Sequence, residues 1–270
     1  MPELPEVETI KLQLEKRIKG ETIRGVEVLN PRLINVSVPK FISKTKGVKI
    51  KSLRRRAKLL VIDLSSGDSL LVHLKLTGLL IMDQKPDKHT SVIFEFEGSK
   101  KLLYKDLRKF GYMKLLSTSQ TDKILNKEFG PEPLSKDFTP EKFKELLLKK
   151  KKAKIKPLLM DQKFLAGIGN IYAQETCFYA KVNPERKVGT LENGEVKDVY
   201  DGLRKIMNAA IKSGGTSVDA YRDVDGREGN FITRLKVYGR EGQECFRCGA
   251  KIKAIKLSGR TTCFCPKCQR

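Results

Sequence analysis

Acidic residues are scarce in this chain: its 270 residues contain 32 Asp and Glu against 55 Lys and Arg, a net charge of +23. A cation excess of this size attracts polyanions and releases their condensed counterions on binding. The deficit therefore makes nucleic acid the predicted class of partner. Because 39% of the residues are hydrophobic, the chain can still build a core, which excludes a disordered basic tail.

Long apolar runs are absent as well. The most apolar stretch, residues 69–82, is interrupted by His73, Lys75 and Thr77 before it reaches the roughly 20 residues that a membrane span needs. The chain begins MPELPEVE, which is acidic where a signal peptide is positively charged. Six cysteines in a chain of 270 residues are also too few for a secreted disulfide scaffold. These absences predict a cytoplasmic protein that does not contact a membrane.

The first half of the chain has a helical pattern followed by strand patterns. Apolar residues recur at helical spacing within residues 2–19, with Pro5 early and Gly20 just past the end, which predicts an amphipathic helix. Residues 22–116 contain eight short apolar or alternating runs bounded by turn residues, which predict an antiparallel sandwich or barrel. Residues 117–140, which begin with Ser and Thr and later contain three prolines, predict a linker.

The second half is predicted to be helical. Helical periodicity runs from PEKFKELLLKKKK at 140–152 to about residue 213, with breaks at glycines. Residues 213–230 are polar and rich in glycine, which predicts a surface loop. A short β-rich tail that carries the cysteine pairs ends the sequence. The predicted class is therefore α+β, with two domains.

Two CxxC pairs predict a metal site. Cys245-Phe-Arg-Cys248 and Cys265-Pro-Lys-Cys268 are separated by 16 residues, within the spacing of zinc-binding modules with four cysteine ligands. Four thiolates complete a tetrahedral shell and leave no position for water, so one structural Zn²⁺ is predicted. A disulfide-bonded or thiol-only hairpin is the alternative. The remaining two cysteines are interpreted as buried or incidental thiols; they are Cys177 and Cys263.

Pro2 is a candidate nucleophile. Removal of Met1 would expose a secondary amine, which can condense with an aldehyde to give an iminium ion. A helix that starts beside this amine favours its neutral form, because the positive end of the helix dipole disfavours a cation. Glu3 and Glu6 lie close enough in sequence to carry protons. The alternative is an ordinary helix start, in which proline and glutamate are common.

The N-terminal segment MPELPEVET resembles the start of the bacterial formamidopyrimidine-DNA glycosylases, base-excision enzymes that remove oxidised purines. The resemblance continues along the whole chain in the segments RRRAKLL (54–60), HLKLTG (73–78), DLRKFG (106–111), GPEPL (130–134), IKPLLMDQ (155–162), GIGNIYAQE (167–175), VYGREGQEC (237–245) and GRTTCFCPKCQ (259–269).

The resemblance implies a fold with defined parts. An N-terminal helix plus antiparallel β-sandwich would occupy residues 1–120. A helix–two-turn–helix domain would occupy 131–230, with residues 213–230 as the loop of the lesion pocket. A zinc-finger β-hairpin with four cysteine ligands would follow at 235–270.

The resemblance also implies catalytic roles. Pro2 matches the nucleophile that attacks C1′ and forms the Schiff base, Glu3 matches the acid that assists base departure and ring opening, and Glu6 is a supporting carboxylate. Lys58 matches a proton donor in β-elimination that also contacts a flanking phosphate. Arg260 matches the residue assigned to δ-elimination and phosphate binding.

Further residues fall where the family contacts DNA. For each of them, a solvated surface cation or a satisfied core residue is the alternative, and the lysine run 149–156 is expected to contribute mainly electrostatic attraction. These candidate DNA contacts are His73, His89, Arg108, Lys151, Lys156, Asn170, Tyr238 and Arg260.

Three side chains match those that fill the gap left by a flipped base: Leu76, Arg108 and Phe110. Extruding a nucleotide costs a few kcal/mol of stacking, which an inserted aromatic ring and guanidinium partly offset. Methionine is usual in the family where this chain has Leu76, so insertion is expected to persist with altered efficiency. His-Thr-Ser at 89–91 departs from the more usual His-Asp-His.

The function implied is that of a bifunctional glycosylase and abasic-site lyase. It would act as a monomer on double-stranded DNA that contains oxidised bases or abasic sites, in the bacterial nucleoid, with zinc as its only cofactor. Two alternatives stay open at this point. One is an endonuclease VIII-like enzyme for oxidised pyrimidines, which PELPE in place of PEGPE disfavours. The other is a non-catalytic zinc-ribbon DNA-binding protein.

Overall fold

The computed structural model describes residues 1–218 and 220–270. These residues form two compact units. The N-terminal unit comprises Met1–Lys127 together with Ile211–Ile232, and the C-terminal unit comprises Glu128–Ala210 together with Thr233–Arg270. Within the described ranges, no helix has both the length and the apolar character that crossing a bilayer requires.

The first helix, α1, spans Leu4–Ile18 and confirms the helix predicted over 2–19. It begins after Glu3, with Pro5 in its first turn, where a proline leaves no helical hydrogen bond unmade. Its apolar face is buried in the core of the N-terminal unit. The chain turns away at Gly20, whose φ of 85° is a left-handed conformation that a glycine adopts without strain.

Eight strands follow α1 and confirm the eight predicted runs. They form two four-stranded antiparallel sheets with the orders β1-β6-β7-β5 and β2-β3-β4-β8, and the inner faces of both sheets contribute to one core with α1. The strands are β1 (Gly25–Val28), β2 (Ile50–Arg56), β3 (Leu59–Leu64), β4 (Asp68–His73), β5 (Gly78–Met82), β6 (Thr90–Glu95), β7 (Lys101–Asp106) and β8 (Tyr112–Ser117). The short helix α2 (Val38–Thr45) lies between β1 and β2 and was not predicted.

The linker predicted at 117–140 is wrong in its first half. Residues Thr118–Glu128 form helix α3. Thr121 and Leu125, one helical turn apart, are buried, and Asp122 accepts a hydrogen bond of 2.8 Å from the Arg54 guanidinium. The three prolines that suggested a linker stand at 131, 133 and 140, beyond the end of this helix, so they do not interrupt it.

The second half of the chain is helical from Pro140 to Lys212, as predicted. Four helices precede the hairpin, and the last of them ends in residues of the N-terminal unit. They are α4 (Pro140–Leu148), α5 (Ile155–Met160), α6 (Asn170–Tyr179) and α7 (Asn193–Lys212). The hairpin consists of β9 (Lys253–Leu257) and β10 (Arg260–Phe264), which pair antiparallel. This arrangement confirms the mixed fold of helices, antiparallel sheets and a cysteine-bearing hairpin.

The polar segment 213–230 differs from the expected surface loop. Thr216, Tyr221 and Val224 are buried, and Met82 N–H donates a 2.8 Å hydrogen bond to the Val224 carbonyl. Its contacts group the segment with the N-terminal unit, whereas the sequence pattern placed it at the end of the helical domain. The polar composition concealed these contacts because they are made largely by backbone groups, which a hydrophobicity pattern does not register.

Candidate active site

The N-terminal end of α1 brings together three of the expected catalytic residues. Pro2 is buried, and Glu3 and Glu6 are 3% and 1% exposed. The Glu3 backbone N–H donates to Glu6 Oε2 over 2.8 Å, and the Glu3 carbonyl accepts from Val7 N–H over 3.1 Å. The second oxygen of Glu6 accepts the Thr216 N–H over 2.8 Å. The Glu6 carboxylate thereby joins the first turn of the helix to segment 213–230.

Lys58 lies in the turn between β2 and β3, with only 8% of its surface exposed. The preceding residue, Ala57, has a φ of 54°, which this tight turn requires. Arg55 fixes the turn by donating from Nη1 to the Ala57 carbonyl over 3.0 Å and from Nε to Glu8 Oε2 of α1 over 2.7 Å. Arg55 therefore holds the Lys58 turn against α1, the helix that follows Pro2.

His73 ends strand β4, opposite Leu59 of β3 and Tyr112 of β8. Burial lowers the pKa of this imidazole to about 3, and the charges of Lys75 and Lys58 contribute to the shift. The ring is therefore neutral at pH 7. Because Nδ1 accepts the Lys75 backbone N–H over 2.9 Å, the ring proton resides on Nε2. His73 can thus donate a hydrogen bond, as a phosphate oxygen requires, without bringing a charge.

The three expected gap-filling side chains lie on two adjacent turns. Leu76 is half-buried in the turn that follows β4, while Arg108 and Phe110 are exposed in the turn between β7 and β8. The Arg108 guanidinium lies 4.8 Å from the centre of the Phe110 ring. Such a cation–π contact holds the arginine and the ring together while both face solvent.

Asp106 and Thr77 tie these two turns together. The Asp106 carboxylate accepts hydrogen bonds from the Thr77 hydroxyl, from Arg108 N–H over 3.2 Å and from Gly111 N–H over 2.8 Å. Thr77 Oγ1 in turn accepts from Arg108 N–H over 3.0 Å. Neither residue was singled out from the sequence. The position of Asp106 at the end of a strand, directly before Leu-Arg-Lys-Phe, was the available signal.

Two glycines at these turns are required by the Tyr104 side chain. A Cβ atom at Gly111 would lie 1.7 Å from the Tyr104 hydroxyl, and one at Gly78 would lie 2.6 Å from it. That hydroxyl donates to the His73 carbonyl over 3.2 Å. Burial raises the pKa of Tyr104, so the phenol keeps its proton. The Tyr104 side chain therefore packs against both glycines and forms a hydrogen bond with the end of strand β4.

His89 lies beside the same region but is only partly buried. Its carbonyl accepts the Asp106 N–H over 2.9 Å, and its own N–H donates to Asp87 Oδ1 over 2.9 Å. Backbone hydrogen bonds therefore bring His89 near the Asp106 turns of the N-terminal unit.

In the C-terminal unit, Lys156 and Asn170 meet. Lys156 is fully buried at the start of α5, and its Nζ donates to Asn170 Oδ1 over 2.6 Å and to Thr262 Oγ1 over 3.0 Å. Asn170 is the first residue of α6, and its Nδ2 donates to the Thr261 carbonyl over 3.2 Å. Gln174, one turn later, also binds this strand, accepting from Cys263 N–H over 2.6 Å.

Tyr238 is held by a carboxylate that sequence reasoning missed. Glu175, which is 4% exposed, accepts the backbone N–H groups of Lys236, Val237 and Tyr238 over 2.9 to 3.1 Å. Burial raises the pKa of Glu175 although these donors favour its charged form.

Lys151 is exposed, and its carbonyl accepts the Gly189 N–H over 2.9 Å.

Arg260 is exposed at the first position of β10, directly after the hairpin turn. The turn contains Ser258 with a φ of 49° and Gly259 with a φ of 72°. The arginine therefore projects from the end of the cysteine-bearing hairpin that faces solvent.

The four predicted ligands converge into one site. The sulfur atoms of Cys245, Cys248, Cys265 and Cys268 all lie within 4.8 Å of one another, with separations of 3.9 Å for one pair and 3.5 Å for another. Zn–S bonds of about 2.3 Å in a tetrahedron place sulfur atoms about 3.8 Å apart, so the cluster fits one zinc ion. Backbone N–H groups of Arg247 and Cys268 donate to sulfur over 3.4 and 3.3 Å, as in paired zinc knuckles. The prediction of a four-cysteine zinc site is confirmed.

Three family models match successive parts of the chain. Residues 1–113 match the formamidopyrimidine-DNA glycosylase N-terminal domain, residues 129–222 match the formamidopyrimidine-DNA glycosylase H2TH domain, and residues 242–270 match the zinc finger found in FPG and IleRS. A formamidopyrimidine-DNA glycosylase of Pelotomaculum thermopropionicum is 42% identical over 275 residues, which cover 100% of this chain and 99% of the relative.

Two solved structures have the same fold. The Lactococcus lactis Fpg in complex with DNA containing an abasic site matches with a TM-score of 0.92 and 38% identity, covering 99% of each chain. The same bacterium's Fpg with DNA containing Fapy-dG matches with a TM-score of 0.90 and 38% identity, covering 99% of this chain and all of that one. On this identity and coverage, the chain belongs to the formamidopyrimidine-DNA glycosylase family.

Proposed function

We propose that this chain is a base-excision repair enzyme that removes oxidised purines, such as 8-oxoguanine and formamidopyrimidines, and then cleaves the strand as an abasic-site lyase. The observation that carries the proposal is the position of Pro2. It is buried directly before α1, next to two buried glutamates, one of which binds the Glu3 N–H. The names of the similar proteins, and the Fapy-dG and abasic DNA in two of their structures, support the same substrate class.

The proposed reaction begins at the Pro2 nitrogen. While Met1 is attached, this nitrogen is an amide and its lone pair is delocalised, so removal of Met1 is a requirement. The freed amine attacks C1′ and the glycosidic bond breaks, with its electron pair leaving on the base, which takes up the proton that the amine nitrogen loses. Glu3 donates a proton as the sugar ring opens, and the product is an iminium ion.

Strand cleavage follows from the iminium ion, which acidifies the C2′ protons. Loss of one such proton expels the 3′ phosphate, and a second elimination expels the 5′ phosphate. We propose that Lys58 donates a proton in the first elimination and that Arg260 binds phosphate in the second. His73, with its proton on Nε2, donates to a neighbouring phosphate.

Lys156 has a positioning role in this proposal. The sequence resemblance made it a phosphate contact, but the side chain is fully buried and its ammonium binds the amide of Asn170. We propose that Asn170 and Tyr238 contact phosphate, and that Lys156 and Glu175 hold them in place. The exposed Lys151 contributes positive charge that attracts DNA.

Leu76, Arg108 and Phe110, on the two turns that Asp106 joins, would support base flipping. We place the enzyme in the cytoplasm, on the bacterial nucleoid.

Borohydride trapping tests the proposal. The processed protein, verified by intact mass, is incubated with a duplex containing 8-oxoguanine and sodium borohydride, and the covalent adduct is mapped after digestion. We expect an adduct on Pro2, and a severe loss of base removal in Pro2→Gly with lesion-DNA binding largely retained, because many cations provide the binding.

Other outcomes would overturn parts of the proposal. An adduct on the peptide containing Lys58 would replace the nucleophile. Trapping only with oxidised pyrimidines would indicate an endonuclease VIII-like specificity, and binding without any adduct would indicate a non-catalytic DNA-binding protein.

A further inference from the structure

Two side chains on one face of α1 hold segment 213–230. Glu6 accepts the Thr216 N–H over 2.8 Å, and Gln13, seven residues later, binds residues 223 and 224. Seven residues correspond to two helical turns, so both side chains lie on the same face of the helix. The helix that follows the candidate nucleophile Pro2 therefore also binds this segment.

The Gln13 amide uses both of its functional groups. Nε2 donates to Asp223 Oδ2 over 2.9 Å, and Oε1 accepts the Val224 N–H over 3.2 Å. The other oxygen of Asp223 accepts the N–H groups of Asp225 and Arg227 over 3.0 and 2.9 Å. Asp223 is thus the centre of a turn spanning residues 223–227, and Gln13 binds that centre from outside the turn.

The neighbouring contacts show that this turn is anchored elsewhere as well. Val224 is fully buried, and its carbonyl accepts the Met82 N–H over 2.8 Å. Arg17, one helical turn beyond Gln13, forms an ion pair with Asp225. Asp223 itself is only 8% exposed, so its carboxylate depends on protein donors in place of water. Within residues 1–218 and 220–270, Gln13 supplies the side-chain hydrogen bond to the Asp223 carboxylate.

We propose that Gln13 is a positioning residue for base recognition: its amide sets the conformation of turn 223–227 and thereby shapes the segment that lines the lesion pocket. This inference rests on the proposed function, in which residues 213–230 line that pocket. A primary amide is needed because the site requires a donor toward a carboxylate and an acceptor toward an N–H group. A carboxylate at position 13 would instead place two negative charges against each other.

The test compares two substrates in single-turnover assays. A duplex with 8-oxoguanine requires the base pocket, whereas a duplex with a ready-made abasic site has no base to be recognised. The variants are the isosteric Q13E, the uncharged Q13M and the control K16Q, which changes the charge of an exposed position of α1 by the same amount as Q13E.

We expect base excision by Q13E to fall about tenfold, the effect on an equilibrium of losing one hydrogen bond to a charged group, with cleavage of the abasic duplex unchanged. Q13M should also lose at least tenfold, because it removes both hydrogen bonds of the amide, and K16Q should lose none. The double variant Q13E/D223N should recover excision, because the new amide at position 223 donates to the carboxylate at 13. Hydrogen exchange of the peptide covering residues 220–230 should be faster in Q13E and return to normal in the double variant.

Equal excision by Q13E and K16Q would refute the inference. So would an equal loss on both substrates, since it would indicate a general effect on the fold. If the wild-type protein cleaves the abasic duplex but excises no 8-oxoguanine, the proposed substrate class is wrong. If the wild-type protein excises 8-oxoguanine and Q13E does so at the same rate, only the role of Gln13 is wrong.

Discussion

Removal of zinc should release the β9–β10 hairpin and abolish firm DNA binding while the N-terminal unit stays folded. Zinc binding to short cysteine modules supplies on the order of 10 kcal/mol of folding free energy. The structure shows a second set of restraints on the hairpin: four hydrogen bonds reach it from the start of α5 and from α6, through Lys156, Asn170 and Gln174.

The free energies that the metal and the hydrogen bonds contribute can be compared. At about 1 kcal/mol net for each hydrogen bond, the four contribute roughly 4 kcal/mol, less than half of the contribution of the metal. The hairpin should therefore lose its fixed position without zinc, although it stays tethered. Since Arg260 lies at the end of this hairpin, its phosphate contact should be lost with it.

The assay measures zinc content, thermal unfolding and lesion-DNA affinity for three variants. Cys248→Ser removes a ligand. Arg260→Ala keeps the metal and should reduce the slope of log affinity against log salt by about one unit, as expected for one phosphate contact. Cys263→Ala is the matched control, since Cys263 is a buried hairpin cysteine outside the ligand cluster and the variant should keep both zinc and affinity. Undiminished affinity of metal-free Cys248→Ser would refute the reasoning and leave zinc a role in stability only.

Two further predictions concern Glu3 and His73. Glu3→Gln should slow excision of 8-oxoguanine by roughly 10² to 10⁴, the loss typical of a general acid, and should slow cleavage of a ready-made abasic site less; unchanged rates on both substrates would make Glu3 a helix-start carboxylate only. The pKa of His73 is lowered from 6.5 to about 3 in the folded protein, so protonation of this imidazole favours unfolding. The stability that neutral His73 contributes is therefore fully present above about pH 6.5 and is lost as the pH falls toward 3. At pH 5 the wild-type protein should have lost about 2 kcal/mol of unfolding free energy through His73. In urea titrations, the decrease in unfolding free energy between pH 7.5 and pH 5 should therefore be smaller for His73→Gln than for wild type. Equal decreases would contradict a buried neutral imidazole.

Elements with a repeating pattern could be predicted from the sequence. The apolar face of α1 and the eight strands follow directly from periodicities of 3.6 and 2, and the four-cysteine site follows from ligand spacing. Helix α3 could not be predicted in this way, because Thr121 and Leu125 are its buried residues and Ile124 is its one other apolar side chain. A helix with so narrow a buried face resembles a linker in sequence.

The parts of the site that were missed are mainly partners of backbone groups. Glu175 holds the Tyr238 segment, and Asp106 holds the Phe110 turn, through N–H groups that no residue pattern identifies. Lys156 was assigned to phosphate by the family resemblance, and its burial became visible only with the Asn170 and Thr262 contacts. The spacing of charges in sequence does not reveal which of them face inward.

A nucleophile at a chain terminus needs an anchor that most termini lack, because terminal residues are ordinarily poorly ordered. The apolar face of α1 provides this anchor. Val7, Ile10, Leu14 and Ile18 are each at most 1% exposed, and burying such side chains contributes roughly 1.5 to 3 kcal/mol apiece before the entropy of ordering is subtracted. The first turn is then closed by Glu6, which accepts the Glu3 N–H. Pro2 is thereby held by a helix of fifteen residues, so the proposed amine can approach C1′ without a large loss of freedom at the moment of attack.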